Sequence, residues 1–311
     1  MNPSIIKITE DNSESLANDI NATREFDHEF MKTHDMEQSE RFVCKTLFQH
    51  SPMIYTPGPQ KESIGTSIYI VFNQRKYILT AGHLFTNGKP ATYKKQERID
   101  LSNVYIGNNV RLLDFNRGLI FPPAEDNDYH EMDYALFLVN DEISRVLERV
   151  YLPFPITTTK RITAYYPQYG FLYGYPCSKN KHNRFSKNTD TDLCIRAPLD
   201  LDSLKSGNNI IFRCDRDKAS TLNEMRNKQS HTMCKINGMS GCGIWDIMSY
   251  PIERDYHNWS IALCGILTNY SNETKRLIGL HVCDIIEFLK IATDIIVKMK
   301  EDKIEYCYKN D

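Results

Sequence analysis

The stretch SIYIVFNQRKYILTAGH, Ser67–His83, decides the fold class of this 311-residue chain. Its two apolar runs, SIYIVF and KYILTA, are rich in the β-branched and aromatic residues that favour strands, and they flank the polar turn NQRK. Two such runs around a short polar turn predict a β-hairpin. The second run leads through small residues to His83, so the pattern also places a titratable side chain at the end of a strand.

Short runs of the same kind follow along the chain, separated by Gly, Pro, Asn and Asp. They are NVYIG, LIFPP, YALFLV, RITAYYP, GFLYGYP, NIIFRC, GCGIWDI, SIALCGIL and RLIGLHV. Many short strands divided by turn residues predict an all-β architecture, either a barrel or a sandwich. Two β-halves that divide near residue 150 are compatible with this spacing.

Both ends of the chain have helical patterns. Residues 1–50 are rich in Asp and Glu and lack glycine, and the segment DMEQSERFVCKTLF carries a helical apolar stripe. The residues of that stripe are Phe42, Val43, Thr46 and Leu47. Near the other end, DIIEFLKIATDIIVKMK repeats apolar residues every three or four positions. We therefore expect a helical extension over 1–50, a globular domain over 51–311 and an amphipathic helix over 284–300.

The composition narrows the class of protein. With 41% hydrophobic residues, 25% charged residues and a formal net charge of −2, it is typical of a globular domain. Such a charge gives no electrostatic reason to expect nucleic acid or an anionic membrane as a partner. The amino-terminal segment lacks the pattern of a signal peptide, and no run of about 18 apolar residues occurs. We expect a cytoplasmic protein that binds neither nucleic acid nor membrane.

The nine cysteines form an odd set without a C-x-x-C pair or a regular spacing. This pattern favours free thiols in a reducing compartment over a disulfide framework or a zinc site. The histidines outside the hairpin form no ligand-spaced cluster either. We expect no metal ion and no organic cofactor.

The segment NGMSGCGIW, residues 237–245, holds one serine among three glycines. Glycine costs chain entropy on folding, so the cluster indicates either a tight turn or a backbone arrangement that other residues cannot adopt. With glycine at position 238, the N–H groups of Gly238 and Ser240 can point into one hollow, where they would stabilise an oxyanion. A serine nucleophile also needs an imidazole as base and a carboxylate that orients the imidazole. His83 supplies the imidazole, and Asp133, at the head of the apolar strand YALFLV, supplies the carboxylate.

Three stretches together resemble the motifs of the trypsin-like (chymotrypsin-fold) serine peptidases. TAGH, DYAL and GMSGCGIW are similar to the family motifs T-A-[AG]-H, D-[IVY]-A-L and G-[DN]-S-G-G, and they follow the family's chain order of His, Asp and Ser. GTSIYI and SIALCGILTNY resemble the strand before the catalytic histidine and the strand beside the specificity pocket. The resemblance spans roughly residues 55–300 and implies two six-stranded antiparallel β-barrels. The absence of paired cysteines fits intracellular bacterial or viral members of the family.

The resemblance also implies a role for each residue of the site. Ser240 would attack a peptide carbonyl, His83 would move the proton, and Asp133 would orient His83. The N–H groups of Gly238 and Ser240 would hold the oxyanion. The implied activity is that of a serine endopeptidase that acts through an acyl-enzyme on a protein or peptide substrate.

The primary specificity pocket follows from the same resemblance. Cys234 would lie at its base, and one wall would be formed by Thr268, Asn269 and Tyr270. Because no Asp occupies the base, we expect a preference for an uncharged side chain in the substrate.

Met239 departs from the family pattern. Secreted members carry an Asp at this position, which pairs with a freed amino terminus during zymogen activation. We therefore expect no activation by propeptide cleavage, and instead either narrow substrate choice or activation by a regulatory protein that binds the extension over 1–50.

Four alternatives remain open at the level of sequence. Asp126 or Asp128 could replace Asp133, and Cys234 or Cys242 could replace Ser240 as the nucleophile. The chain could also be a catalytically inactive trypsin-like binding module. A viral polyprotein-processing protease would share the proposed chemistry and differ only in its context.

Overall fold

The computed structural model describes residues 36–56, 62–85, 104–107, 109–111, 119–120, 133–156, 169–176, 193–200, 209–214, 236, 238–253 and 256–301. The first 35 residues, the predicted strand RITAYYP, and Asp126, Asp128 and Cys234 lie outside these ranges. Within the described ranges, no helix is both long enough and apolar enough to cross a membrane.

The described residues form fourteen strands and three α-helices. The helices are α1 (Met36–His50), α2 (Asp141–Leu147) and α3 (Val282–Glu301). The strands are β1 (Met53–Thr56), β2 (Glu62–Phe72), β3 (Arg75–Thr80), β4 (Tyr105–Ile106), β5 (Val110–Arg111), β6 (Leu119–Ile120), β7 (Ala135–Val139), β8 (Phe154–Pro155), β9 (Tyr169–Gly174), β10 (Leu193–Pro198), β11 (Asn209–Arg213), β12 (Gly243–Glu253), β13 (Tyr256–Ser271) and β14 (Arg276–His281).

The predicted hairpin is confirmed and lies at the centre of the first sheet. β2 and β3 pair antiparallel from Ser67–Thr80 to Phe72–Arg75. The two turn residues, Asn73 and Gln74, have φ angles of 46° and 65°. Positive φ at both central residues gives a two-residue turn the twist that matches its strands.

The first sheet has the strand order β5-β4-β1-β2-β3-β7-β6, and β8 pairs parallel with β2. This sheet contains eight strands. Four of them, β4, β5, β6 and β8, are only two residues long. Buried side chains such as Tyr69, Ile78 and Phe137 fill the interior of this first barrel.

The second sheet has six strands in the order β10-β9-β12-β13-β14-β11. Its two end strands meet, since Leu199, just after β10, forms a bridge with Phe212 of β11. The backbone N–H of Asp200 also donates to the carbonyl of Ile211 at 2.8 Å. This contact closes a second barrel, and the predicted all-β, two-barrel chymotrypsin-like fold is confirmed.

A third apolar core lies between the barrels and includes residues from α1 and α3. Leu47 of α1, Trp245 of β12 and Phe288 of α3 are all fully or almost fully buried in it. Burial of each such side chain contributes on the order of 1.5–3 kcal/mol. The two helices therefore take part in the same packing that holds the barrels together.

Helix α3 also reaches back to the hairpin of the first barrel. Arg75 Nη1 donates to the carbonyl of Thr293 at 3.2 Å, and the ring of Tyr134 packs edge-on against Phe288 with centroids 5.0 Å apart. A helix that follows the second barrel thus covers the first one, which restrains the two barrels relative to each other.

Candidate active site

His83 and Asp133 are brought together by the pairing of β3 with β7. Thr80 at the end of β3 lies opposite Ala135 at the start of β7. His83 follows β3 on a short 3-10 helix, Gly82–Phe85, and Asp133 lies two residues before β7. The two side chains therefore extend from neighbouring strand ends.

The carboxylate of Asp133 accepts two hydrogen bonds from His83. Oδ2 accepts from Nδ1 of the ring at 2.5 Å, and Oδ1 accepts from the backbone N–H at 2.7 Å. An ionised carboxylate can only accept, so Nδ1 carries the proton in this hydrogen bond. The side chains are 24% and 19% exposed, so the pair lies at a surface that a substrate can reach.

Ser240 lies in a tight turn, residues 238–241, which we call the oxyanion loop after the role that is proposed for it below. The backbone N–H of Met239 donates to Ile236 O at 3.0 Å, and that of Cys242 donates to Met239 O at 2.9 Å. Gly238 and Gly241 have φ angles of 94° and 85°, which side chains rarely tolerate. The N–H groups of Gly238 and Ser240 take no part in these turn bonds.

The oxyanion loop of the second barrel docks on β2 and on the end of β3, which leads to His83. The Ser240 carbonyl accepts from the N–H of Thr66 at 3.0 Å. A Cβ atom on Gly241 would lie 2.9 Å from the backbone nitrogen of Ala81 and would also collide with Thr66. Glycine is therefore required at position 241, because only a bare backbone can approach the residues next to His83 so closely.

Apolar burial holds the same loop from the other side. Met239 is fully buried in the core of the second barrel, at the position where the sequence resemblance implies an aspartate in secreted relatives. The N–H of Gly241 donates to Leu267 O at 2.7 Å, and the N–H of Leu267 donates to Cys242 O at 2.9 Å. The loop is thus attached to its own barrel by packing and by backbone bonds, without an ion pair at Met239.

Cys242 is a poor alternative to Ser240 as nucleophile. Its side chain is fully buried, and burial raises the pKa of its thiol far above the ordinary value. The thiolate is the reactive form of cysteine, so this residue stays inert at neutral pH. The other cysteine alternative, Cys234, lies outside the described residues.

The predicted pocket residues lie at the end of β13 beside the oxyanion loop. The side chain of Thr268 donates to Ile278 O at 3.2 Å, and the hydroxyl of Tyr270 donates to Cys214 O at 3.4 Å. Asn269 is exposed, and its Oδ1 accepts from the N–H of Tyr270 at 2.7 Å. These three residues carry no charge.

The pairing of β13 changes next to the oxyanion loop. The ladder between β12 and β13 reaches only Gly243–Ile266, whereas β13 continues to Ser271 and pairs there with β14. Among the described strands, the other edge of β13 has no partner after this point. Within the described ranges, β13 therefore has a strand edge close to Ser240 that no other strand covers.

Sequence reasoning did not single out Thr66, which makes backbone and side-chain contacts with the oxyanion loop. It lies in the GTSIYI strand, but nothing in that motif indicates a partner so distant along the chain.

Across the described ranges, no group of three His, Cys, Asp or Glu side chains is placed to hold a metal ion.

Comparison with known proteins gives resemblances in structure alone. No family model matches the chain, and no curated protein matches it. The chain is similar to the serine protease domain of the Sesbania mosaic virus polyprotein, with 12% identity and a TM-score of 0.41 over 78% of this chain and 92% of that one.

A second solved structure comes from work on aromatic interactions that drive the coupled folding and binding of the intrinsically disordered Sesbania mosaic virus VPg protein. It is similar with 11% identity and a TM-score of 0.41 over 78% of this chain and 90% of that one. Both likenesses concern the fold only. The pairing of its own strands gives this chain a two-barrel, chymotrypsin-like fold.

Proposed function

We propose that the protein is a serine endopeptidase that hydrolyses peptide bonds through an acyl-enzyme. The observation that carries this proposal is the pair of hydrogen bonds between His83 and Asp133, together with the close approach of Gly241 to Ala81. If Asp133 only capped the start of β7, its role would require neither a fixed tautomer of the His83 ring nor a serine-bearing loop of the other barrel close by.

Each residue then has one role in the reaction. Ser240 Oγ attacks the peptide carbonyl and gives its proton to His83 Nε2, and Asp133 stabilises the imidazolium that forms. The same proton passes to the leaving amine, which releases the first product. Water then attacks the acyl-enzyme with His83 again as the base, and Ser240 regains its proton as the second product leaves.

The N–H groups of Gly238 and Ser240 are proposed to hold the oxyanion of the tetrahedral intermediate. Two observations support this role: Gly238 has a positive φ, and the turn bonds come from the N–H groups of Met239, Gly241 and Cys242 instead. Removal of one such donor typically costs about 10²–10³ in rate.

The open edge of β13 is proposed to bind the substrate as an additional strand. An extended peptide adds to a sheet edge through main-chain hydrogen bonds, and its alternate side chains then enter the neighbouring pockets. Thr268, Asn269 and Tyr270 supply no charge at that edge, which supports a preference for an uncharged side chain. Cleavage of a peptide library tests this, and dominant cleavage after Arg or Lys would contradict it.

Labelling with a fluorophosphonate probe tests the proposed chemistry. The wild-type protein should form a covalent adduct, and Ser240→Ala should abolish it. Cys242→Ala is the matched control, since that side chain is only two residues away and is expected to stay outside the reaction. If the wild type never labels under any activating condition, the chain is an inactive binding module, and if Ser240→Ala still labels, Ser240 is not the nucleophile.

We also propose that residues 1–50 form an extension through which a regulatory protein acts. The support is that α1 is buried against both barrels through Val43 and Leu47 and ends beside Trp245, five residues after Ser240. A chain that lacks residues 1–35 should keep α1 and its basal labelling rate. A change in that basal rate would mean that the removed segment contributes to the site directly.

A further inference from the structure

We propose that Thr66 is a positioning residue that holds the oxyanion loop in its competent shape from the opposite barrel. The inference rests on the proposed function, because it assigns a purpose to the two N–H groups of that loop. It concerns a side chain that no step of the proposed reaction uses.

Thr66 binds both ends of the oxyanion loop at once. Its backbone N–H donates to the Ser240 carbonyl at 3.0 Å, and its Oγ1 donates to the Gly238 carbonyl at 3.2 Å. Gly238 lies 172 residues further along the chain. One residue of β2 thus makes two bonds across the junction of the barrels.

The direction of the hydroxyl bond is set by a second partner. The N–H of Tyr175 donates to Thr66 Oγ1 at 3.1 Å, so the single O–H of Thr66 is left to point at Gly238. Thr66 is fully buried, and a Cβ on Gly174 would come within 2.7 Å of its Oγ1. Water has no room to replace these bonds, and the missing side chain at Gly174 makes space for the hydroxyl.

Thr66 is itself held in place. Its carbonyl accepts from Thr80 Oγ1 at 2.7 Å, and it lies in the central ladder opposite Met53. The group that holds the loop is therefore part of the most extensively paired strand of the first barrel.

The two bonds restrain the peptide planes that surround the oxyanion donors. The Ser240 N–H belongs to the peptide between Met239 and Ser240, and Thr66 holds the carbonyls of the peptides on both sides of it. Gly238 has no side chain to restrict its backbone, so its own sterics do not select one orientation of its carbonyl. If that carbonyl is released, its peptide is held only through the bond from the Met239 N–H to Ile236 O, and the loop can shift its N–H groups away from the oxyanion position.

The test compares Thr66→Ser with Thr66→Ala, which lose the same methyl group and differ in one oxygen atom. The serine variant keeps the bond to Gly238 and should keep kcat within about three-fold of the wild type. The alanine variant should lose about 10- to 100-fold in kcat with KM little changed, because misplacement of a catalytic group by about 1 Å costs on this order. The rate of fluorophosphonate labelling should fall by a similar factor.

Ser67→Ala is the matched control. Ser67 is the next residue of β2, is also fully buried, and donates through Oγ to Pro52 O at 2.8 Å without contacting the oxyanion loop. It should lose stability in urea as Thr66→Ala does, yet keep the kcat of the wild type. Equal kcat for the folded serine and alanine variants, or an equal loss in Ser67→Ala, would overturn the proposal.

Amide hydrogen exchange separates failure of this proposal from failure of the proposed function. If the wild type neither cleaves nor labels, the proposed function fails, but the exchange rates of Met239 and Gly241 can still be compared between the variants. The proposal requires faster exchange at these amides in Thr66→Ala than in Thr66→Ser, and unchanged exchange would contradict it.

Discussion

At the scale of single residues, the two carboxylate oxygens of Asp133 determine the tautomer and the position of the His83 ring. One carboxylate oxygen binds the ring of His83 and the other binds its backbone. The ring bond selects the tautomer, and the backbone bond sets the distance between the two residues. The orientation of the imidazole therefore depends on the Asp133 side chain.

Asp133→Asn is expected to lower kcat by about 10⁴ while the fold remains intact. The amide keeps one oxygen for the His83 N–H but offers an NH₂ group in place of the second acceptor, so the ring must present its other tautomer to Ser240. Steady-state cleavage and far-UV circular dichroism measure the two effects. Asp141→Asn, at the exposed start of α2, is the control, and an Asp133→Asn enzyme within ten-fold of the wild type would exclude Asp133 as the orienting carboxylate.

His83, Asp133 and Ser240 were predictable because each lies in a short motif whose neighbours carry the signal. The structure places His83 and Asp133 in direct contact and docks the Ser240 loop on Ala81. Thr66 was not predictable in this way. Its partner at Gly238 is contributed by the other barrel, and a threonine in a strand is otherwise explained by strand propensity alone.

At the scale of elements, the sequence predicted most of the apolar strands, including the short β4 in NVYIG and β6 in LIFPP, and it missed β1, β5, β8 and β10. The seven-residue helix α2 is shorter than the window in which helical periodicity is recognisable. Its only strong signal is Asn140, whose Oδ1 accepts from the N–H of Ile143 at 2.8 Å as an N-cap. β10 was not predicted because Arg196 interrupts its apolar pattern. In the structure the Arg196 guanidinium lies 3.8 Å from the centroid of the Tyr169 ring, where a cation–π interaction stabilises it.

The end of α1 is attached to both barrels through an aromatic contact. The ring of His50 lies 5.9 Å from that of Trp245 and 5.2 Å from that of Phe154, and its Nδ1 donates to Leu152 O at 2.7 Å. Burial lowers the pKa of His50 below its ordinary value of 6.5, although the bond to Leu152 opposes that shift.

His50 should make the stability of the protein depend on pH in the acid range. Since the pKa is lower in the folded state, the unfolded chain binds the proton more readily, and the free energy of unfolding falls as the pH drops from 6.5 towards the folded-state pKa. Above 6.5 this residue contributes no pH dependence. Urea unfolding at about pH 8 and about pH 5.5 measures the difference, which should shrink in His50→Gln. An equal difference in the variant and the wild type would assign the dependence to other groups.

At the scale of the whole molecule, the apolar core between the barrels links regions that are far apart in sequence. Leu47, Tyr134, Trp245 and Phe288 belong to the same cluster. Because helices and barrels share this core, neither barrel can lose its packing without exposing apolar surface of the other.

Phe288→Ala is expected to destabilise both barrels together by about 3–5 kcal/mol. The lost side chain leaves a cavity against Tyr134, which adjoins Asp133. Tryptophan fluorescence, from Trp245 and Trp259, and far-UV circular dichroism should report one coincident unfolding transition in urea, shifted equally for both probes. Ile291→Ala, an exposed position on the same helix, is the control with little effect. Two separate transitions in the variant would show that the barrels unfold independently.

The bonds that hold the oxyanion loop also determine when, during synthesis, the site can exist. The loop needs Thr66, which a ribosome adds early, and Leu267, which it adds 27 residues after Ser240. A nascent chain that ends shortly after Ser240 already carries His83 and Asp133 but still lacks β13, whose Leu267 binds the backbone of Gly241 and Cys242. Under the proposed function, the growing polypeptide remains unable to cut itself or its neighbours until the second barrel is complete.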